Sequence, residues 1–237
     1  MVNNNKQYEI RTSCGVYGRD AVQTHFIEIG EDLFELLERY VVPHCLPGDM
    51  VAISSKIVSL YQKRVVYKKD MKLTGLAKFL SRFAASSEAG VGVNSVWKMQ
   101  YAIDFYGKFR VLWAAVCAGF GKIFGKRGIF YDMLGFEIRG LDGFYDKSFK
   151  VYGDFGIQIP RECSALCDEI YGKMGLVAFI TDANDITRDI LGKAEIIGYS
   201  DAELCEMIAD NPAGQSDQCT PFLIISRLDT DDVGYRK

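Results

Sequence analysis

Proline is scarce in this chain, with five in 237 residues, and no proline- or serine-rich stretch, repeat or low-complexity run divides it. Histidine is scarcer still. His25 and His44 are the only two, which excludes a His-rich metal site or a relay of histidines. Neither has an acidic pattern beside it, so both read as structural. The seven cysteines are odd in number, scattered and without a C-x-x-C pair, which argues against a disulfide framework or a zinc site and for reduced thiols. The start, Met1 to Tyr8, is polar and has no apolar core of a secretory signal. The longest apolar stretch, Val111 to Phe120, is about half the roughly 20 residues a spanning helix needs. Nor is there an excess of one charge: 28 Lys and Arg face 31 Asp and Glu, a balance that removes a broad basic face as a reason to expect nucleic acid. The expectation is a soluble, cytoplasmic protein with neither a membrane nor a nucleic-acid partner.

What is present is enough apolar material, 49% of residues, to build a core. Glu31 to Val42 spaces Leu33, Leu36, Leu37, Tyr40 and Val41 as one helical face, and Pro43 stops it. Gly48-Asp49 turns into a short buried strand, Met50 to Ser54. Leu73 to Ser86 reads as an amphipathic helix and Ala89 to Asn94 as a glycine-bearing loop, while Tyr101 to Gly143 is rich in glycine and aromatics and reads as irregular. After Pro160 the pattern becomes regular again. Cys163, Leu166, Cys167 and Ile170 share a helical face, Gly175 to Ile180 is a strand, Ser200 with Glu203 forms a capping box, and Phe222 to Ser226 is a final strand. The fold class expected is α+β, a mixed α/β sheet in one or two interleaved lobes. The domain is expected over 21–228, with 1–20 and 229–237 as terminal extensions.

Four segments carry candidate chemistry. Ser54-Ser55-Lys56, at the end of the first strand, offers hydroxyls and a cation to an anion, or is simply a polar strand end. Gly119 to Gly128 interleaves glycines with Lys122, Lys126 and Arg127, in the manner of a phosphate cradle or of a tight loop with solvated lysines. It is not a G-x-x-x-x-G-K-[ST] loop, because its glycine spacing is one residue too long and Arg127 takes the hydroxyl's place. Thr181-Asp182-Ala183-Asn184-Asp185 follows an apolar strand, where α/β sheets gather ligands. Its carboxylates are the hard oxygens that Mg²⁺ or Mn²⁺ prefers, though Asp and Asn also cap and turn chains there. Asp210 to Pro221 is a polar, glycine-bearing stretch that is either a binding loop or a connection. The i,i+4 pair Cys163 and Cys167 reads as core packing.

In this order the segments resemble the coenzyme F(420):L-glutamate ligase family, the F(420)-0 γ-glutamyl ligases. The likeness is carried by Gly30-Glu31-Asp32-Leu33, Gly48-Asp49, Ser54 to Ser59, Gln62 to Val66, Ile180 to Asp185 and Gly214 to Pro221. It implies an F(420) ligase-like mixed fold in an intertwined homodimer. Members of the family join the amine of L-glutamate to a carboxylate of the deazaflavin cofactor, using GTP and Mn²⁺ or Mg²⁺. By that resemblance Ser54 and Ser55 fall at nucleotide contacts, Asp182 on the family's metal-binding aspartate, and Gln215, with Gly214 and Ser216 beside it, near the metal- and nucleotide-binding loop. The chemistry of carboxylate phosphorylation, not the likeness, adds Asp185 beside Asp182 and Gln215 as a metal ligand, Lys56 as a cation for the nucleotide's phosphates, and Lys126 and Arg127 with Asp182 as the catalytic set. The family's N-A-G-[IV]-D-x-S-N motif is missing, Leu60 replaces a lysine, and Ala183 replaces a hydroxyl residue. The function expected is a ligase, dependent on GTP or ATP and a metal, that forms an amide between L-glutamate and a heterocyclic carboxylate. The acceptor is deazaflavin F(420) or a pterin or folate. The alternative is a non-catalytic anion- or nucleotide-binding homologue.

Overall fold

The computed structural model describes residues 6–84, 93–126, 128–144, 153–183, 188–214 and 218–228. The chain divides into two compact units, Met1–Lys63 with Pro160–Lys237, and Arg64–Ile159. The first run contributes β1 (Glu9–Thr12), β2 (Gly15–Val22), α1 (Leu33–Tyr40), β3 (Met50–Ser54) and α2 (Ser55–Tyr61). The second unit holds β4 (Val65–Tyr67), α3 (Gly75–Phe83), α4 (Val96–Tyr106), α5 (Lys108–Ile123), α6 (Ile129–Leu134), α7 (Phe136–Arg139), β5 (Asp142–Gly143) and β6 (Phe155–Ile157). The first unit is then completed by α8 (Cys163–Met174), β7 (Val177–Ala183), β8 (Arg188–Lys193), α9 (Asp201–Met207) and β9 (Phe222–Leu228).

The first unit is built on a six-stranded mixed sheet in the order β1-β2-β9-β3-β7-β8, in which β3 and β7 run parallel and every other pair is antiparallel. β3 sits between β9 and β7, so Met50 to Ile53 are buried in succession rather than alternately, as expected of a strand covered on both faces. α1 starts where Asp32 Oδ1 accepts the Phe34 and Glu35 amides at 2.8 and 3.2 Å. It buries Leu33, Leu36 and Leu37, worth about 2 kcal/mol each. Pro43 does not simply end the chain's helical path; it opens a single 3₁₀ turn, Val42–His44. The reciprocal capping box of Ser200 and Glu203 starts α9 as expected. Gly192 lets β8 pass close to the start of α8: a Cβ there would lie 2.5 Å from the Ser164 amide nitrogen.

Residues 9–20, expected as part of a terminal extension, instead form β1 and most of β2 and complete the sheet's edge. A buried Arg19, 1% exposed, masks the strand pattern; it pairs with Asp210 and donates to the carbonyls of Gln7 (2.7 Å) and Met207 (3.3 Å).

The second unit packs α3 to α7 beside a small antiparallel sheet, β4-β6-β5. Its core gathers Leu80, Met99, Ile103, Val111, Phe130, Leu134, Ile138 and Phe144. The middle of the chain is therefore helical and not irregular. Its periodicity is hidden because α4 and α5 are apolar on more than one face, so polar and apolar residues do not alternate with the turn. The loop expected over Ala89 to Asn94 lies mostly outside the described residues. The near balance of charge in the whole chain also conceals a division. The 64–159 unit has 15 Lys and Arg against eight Asp and Glu, whereas the first unit has 13 against 23. Among the described residues no helix is long and apolar enough to cross a membrane.

Candidate functional site

β3 and β7 are parallel, so their carboxyl ends emerge side by side, and the register sets Ser54 opposite Thr181. Ligands of α/β sheets gather beyond such strand ends. Ser54 is extended (φ −63°, ψ 129°) and forms the hinge between β3 and α2; its hydroxyl does not cap the helix. Ser55 and Lys56 occupy the first turn of α2. β7 continues past its apolar run through Asp182 to Ala183 because β8 keeps pairing with it, Asp182 opposite Asp189. The strand thus ends three residues later than its hydrophobicity indicates, and Asp182 lies on it rather than after it.

The half-buried Ser55 and Asp182 meet: Ser55 Oγ donates to Asp182 Oδ1 at 3.4 Å. Thr181, on the opposite face of the strand, has its hydroxyl committed to the Asp189 carbonyl at 3.0 Å. The polar stretch before β9 joins the same end of the sheet. Ser54 N–H donates to the Pro221 carbonyl at 2.9 Å, and Thr24 N–H donates to that of Cys219 at 2.8 Å. Its two ends are tied together by the Thr220 hydroxyl, which donates to the Ala213 carbonyl. Gly214, at φ +80°, turns the chain there, and its N–H donates to the Asn211 carbonyl at 2.9 Å. Three of the four candidate segments therefore converge at one sheet end. Gln215, Ser216 and Asp185 lie outside the described residues.

The fourth segment differs from its expected form. Gly119 and Gly121 are inside α5, where backbone amides serve the helix ladder and cannot cradle phosphate. Gly121 is required for packing, because a Cβ would fall 2.1 Å from Ile129 Cδ1. Lys126 N–H closes the helix end on the Gly121 carbonyl at 2.8 Å, and the side chain is exposed. Lys126 belongs to the second unit and Asp182 to the first. Arg127 lies outside the described residues.

The donor set suits a hard divalent cation of one kind. Asp182 and Ser55 provide one carboxylate and one hydroxyl, and among the described residues no three His, Cys, Asp or Glu side chains group as a metal cage. Mg²⁺ is commonly held by one or two carboxylates, water and substrate phosphates, a pattern these two residues fit.

A polar constellation absent from the sequence reading adjoins the same loop. His25 follows Thr24, and its ring nitrogens lie 2.7 Å from Tyr40 Oη and 2.8 Å from Glu31 Oε2. His25 therefore does have a carboxylate partner. The contact spans the turn at Gly30, φ +88°, and follows no helical or strand spacing that would reveal it. By contrast the Cys163 and Cys167 thiols are core, as expected: burial pushes them up to about 11 and about 12. A cleft of about 320 Å³ lined by Tyr17, Met50, Val177, Tyr199 and Ile225 opens at the amino ends of β3 and β7. It is at the other end of these strands from Ser54 and Asp182 and is no part of the candidate site.

No protein-family model matches the chain, and no curated protein sequence matches it.

Proposed function

We propose that the chain is a ligase that forms an amide between L-glutamate and a carboxylate of a heterocyclic cofactor, deazaflavin F(420) or a pterin or folate, at the expense of GTP or ATP. The observation that supports this reading is the convergence of Ser54-Ser55-Lys56, Asp182 and the anchored Cys219 to Pro221 at the carboxyl end of the parallel pair β3 and β7.

The chemistry has two steps. An acceptor carboxylate oxygen takes the terminal phosphoryl group and the nucleoside diphosphate leaves. The glutamate amine then attacks the acyl carbon, loses a proton, and inorganic phosphate departs. Neither step demands a covalent nucleophile; both demand positioning and neutralised phosphate charge. A divalent cation, when bound, supplies that neutralisation and orients the phosphates. Asp182 and Ser55 would hold it, Ser54 would donate its hydroxyl to phosphate, and Lys56 would add a cation from the first turn of α2. Lys126 and Arg127 are assigned no role in this reading, which uses the first unit alone. The likeness also proposes a homodimer, and seven cysteines without a disulfide suit a reducing cytoplasm.

The test incubates the protein with Mn²⁺, glutamate, GTP or ATP, and a panel of deazaflavin and pterin carboxylates, and reads acceptor mass. Gain of a glutamyl residue, lost in Asp182→Asn, is expected. No product with any acceptor, and no nucleoside diphosphate released, would refute catalysis. Nucleotide binding measured by calorimetry in that event would leave the non-catalytic homologue.

A further inference from the structure

Helix α5 is apolar on two opposite faces. Val111, Ala114 and Gly121 are buried and point inward. Phe109, Leu112, Trp113, Val116, Phe120 and Ile123 point outward and are 78, 41, 62, 41, 62 and 76% exposed. At 3.6 residues per turn these six lie within an arc of about 100°. Phe124 extends the stripe past the helix end, and α3 adds Phe79 and Phe83, with rings 5.0 Å apart. Lys122 Nζ lies 3.5 Å from the Phe83 carbonyl, which sets the ends of α3 and α5 side by side. The exposed aromatics alone present on the order of 700 Å² of apolar surface, more than a monomer commonly leaves in water.

The charge along α5 itself has one sign. From 105 to 131 there is no Asp or Glu, while Lys108, Arg110, Lys122, Lys126 and Arg127 occur. Lys108 and Arg110 flank Phe109 and so fall on opposite edges of the stripe. α3 likewise has Lys78 and Arg82 and no acid. An apolar helix face edged by cations complements an anionic lipid surface. A second copy of the same face would bring two cationic rims together. Leu112, Val116 and Ile123, set among the aromatics, have no ring on which a base could stack.

We propose that α5 and the adjoining end of α3 form a membrane-surface element, whose aromatic and aliphatic stripe enters the headgroup–acyl boundary of an anionic bilayer while the flanking cations meet lipid phosphates. This is independent of the ligase reading, and it departs from the expectation of no membrane partner, which rested on the lack of a spanning segment.

The experiment is flotation of the full chain with vesicles of phosphatidylcholine alone or containing about one third phosphatidylglycerol. Recovery with the anionic vesicles only, reversed by high salt, is expected. In a Trp97→Phe background, Trp113 fluorescence should shift to the blue on binding. Phe109→Ser with Phe120→Ser should lower partitioning on the order of tenfold while the circular dichroism spectrum is unchanged. The Trp113 shift tests the proposal in the otherwise intact chain, whatever that variant's stability. Any of four results would overturn it. One is the absence of both flotation and spectral shift, and another is flotation undiminished in a folded double variant. The third is a concentration-dependent dimer abolished by the double variant without flotation, which assigns the face to a second copy. The fourth is binding of a single-stranded RNA oligomer in place of vesicles.

Discussion

The pair Arg19 and Asp210 gives a prediction whose sign depends on where each partner sits. Arg19 is 1% exposed, whereas the Asp210 side chain is 38% exposed. Asp210→Ala strands the buried guanidinium with only the Gln7 and Met207 carbonyls. Breaking a fully buried pair costs about 3–5 kcal/mol; partial access of water to this one reduces the cost to about 2–3 kcal/mol. Arg19→Met removes the buried charge itself and leaves a carboxylate that water can reach, at about 1 kcal/mol or less. The truncation at the more exposed partner is therefore the more damaging. Urea unfolding followed by far-UV circular dichroism measures both, and Asp210→Ala should lower the melting temperature by about 5–10 °C. The effect has a pH signature. Burial alone would raise the Asp210 pKa, but the hydrogen bond and charge of Arg19 outweigh it and hold the group below its ordinary value. A depressed carboxylate stabilises the fold above its unfolded pKa of about 3.9 and loses that contribution as pH falls through the folded value. The penalty of Asp210→Ala should be constant near neutrality and shrink below about pH 5. An Arg19→Met variant less stable than Asp210→Ala would refute the reasoning.

Gly192→Ala should cost about 1–3 kcal/mol in the same assay, because the new Cβ would meet backbone of α8 that cannot swing aside; parent-like stability would remove the close approach. Ellman's reagent at pH 8 should titrate at most five of the seven thiols in native protein and all seven in guanidinium, since burial raises Cys163 and Cys167 to about 11 and about 12; seven fast thiols would contradict it. Asp182→Asn should abolish glutamyl transfer, and Ser55→Ala should weaken Mn²⁺ binding about tenfold by calorimetry; parent-like affinity in both would take the metal elsewhere.

Local signals were legible where one physical cause dominated. Met50 to Ser54 reads as a buried strand and is one, because four successive apolar residues bounded by Gly48-Asp49 leave little else to form. Ser200 with Glu203 marks a helix start because capping is a contact over three residues. What stayed hidden depended on partners distant in sequence. β2 contains an inward arginine that makes sense only beside Asp210, 191 positions away. β7 runs on through Asp182 because β8, absent from the sequence reading, pairs with it. The contents of the candidate site were readable as segments, and their meeting was not: it follows from the parallel register of β3 and β7 and from the Ser54 bond to Pro221.

The distribution of charge bears on both proposals. With 13 cations against 23 acids, the first unit repels a nucleotide's phosphates at long range. Lys56 supplies one positive charge at the candidate site, and Asp182 adds a negative one. Ligation there would therefore depend on a divalent cation not only for phosphoryl transfer but for binding the nucleotide at all. Nucleotide affinity should collapse on chelation and recover with Mg²⁺ or Mn²⁺. The cationic excess resides in the other unit, and part of it edges the exposed aromatics of α5. A cation rim costs nothing in water beyond mutual repulsion, but exposed phenylalanine and tryptophan do cost burial energy. Their concentration in a single stripe, edged along α5 by one sign of charge, is what a lipid surface would make use of and what the sheet-end site does not require.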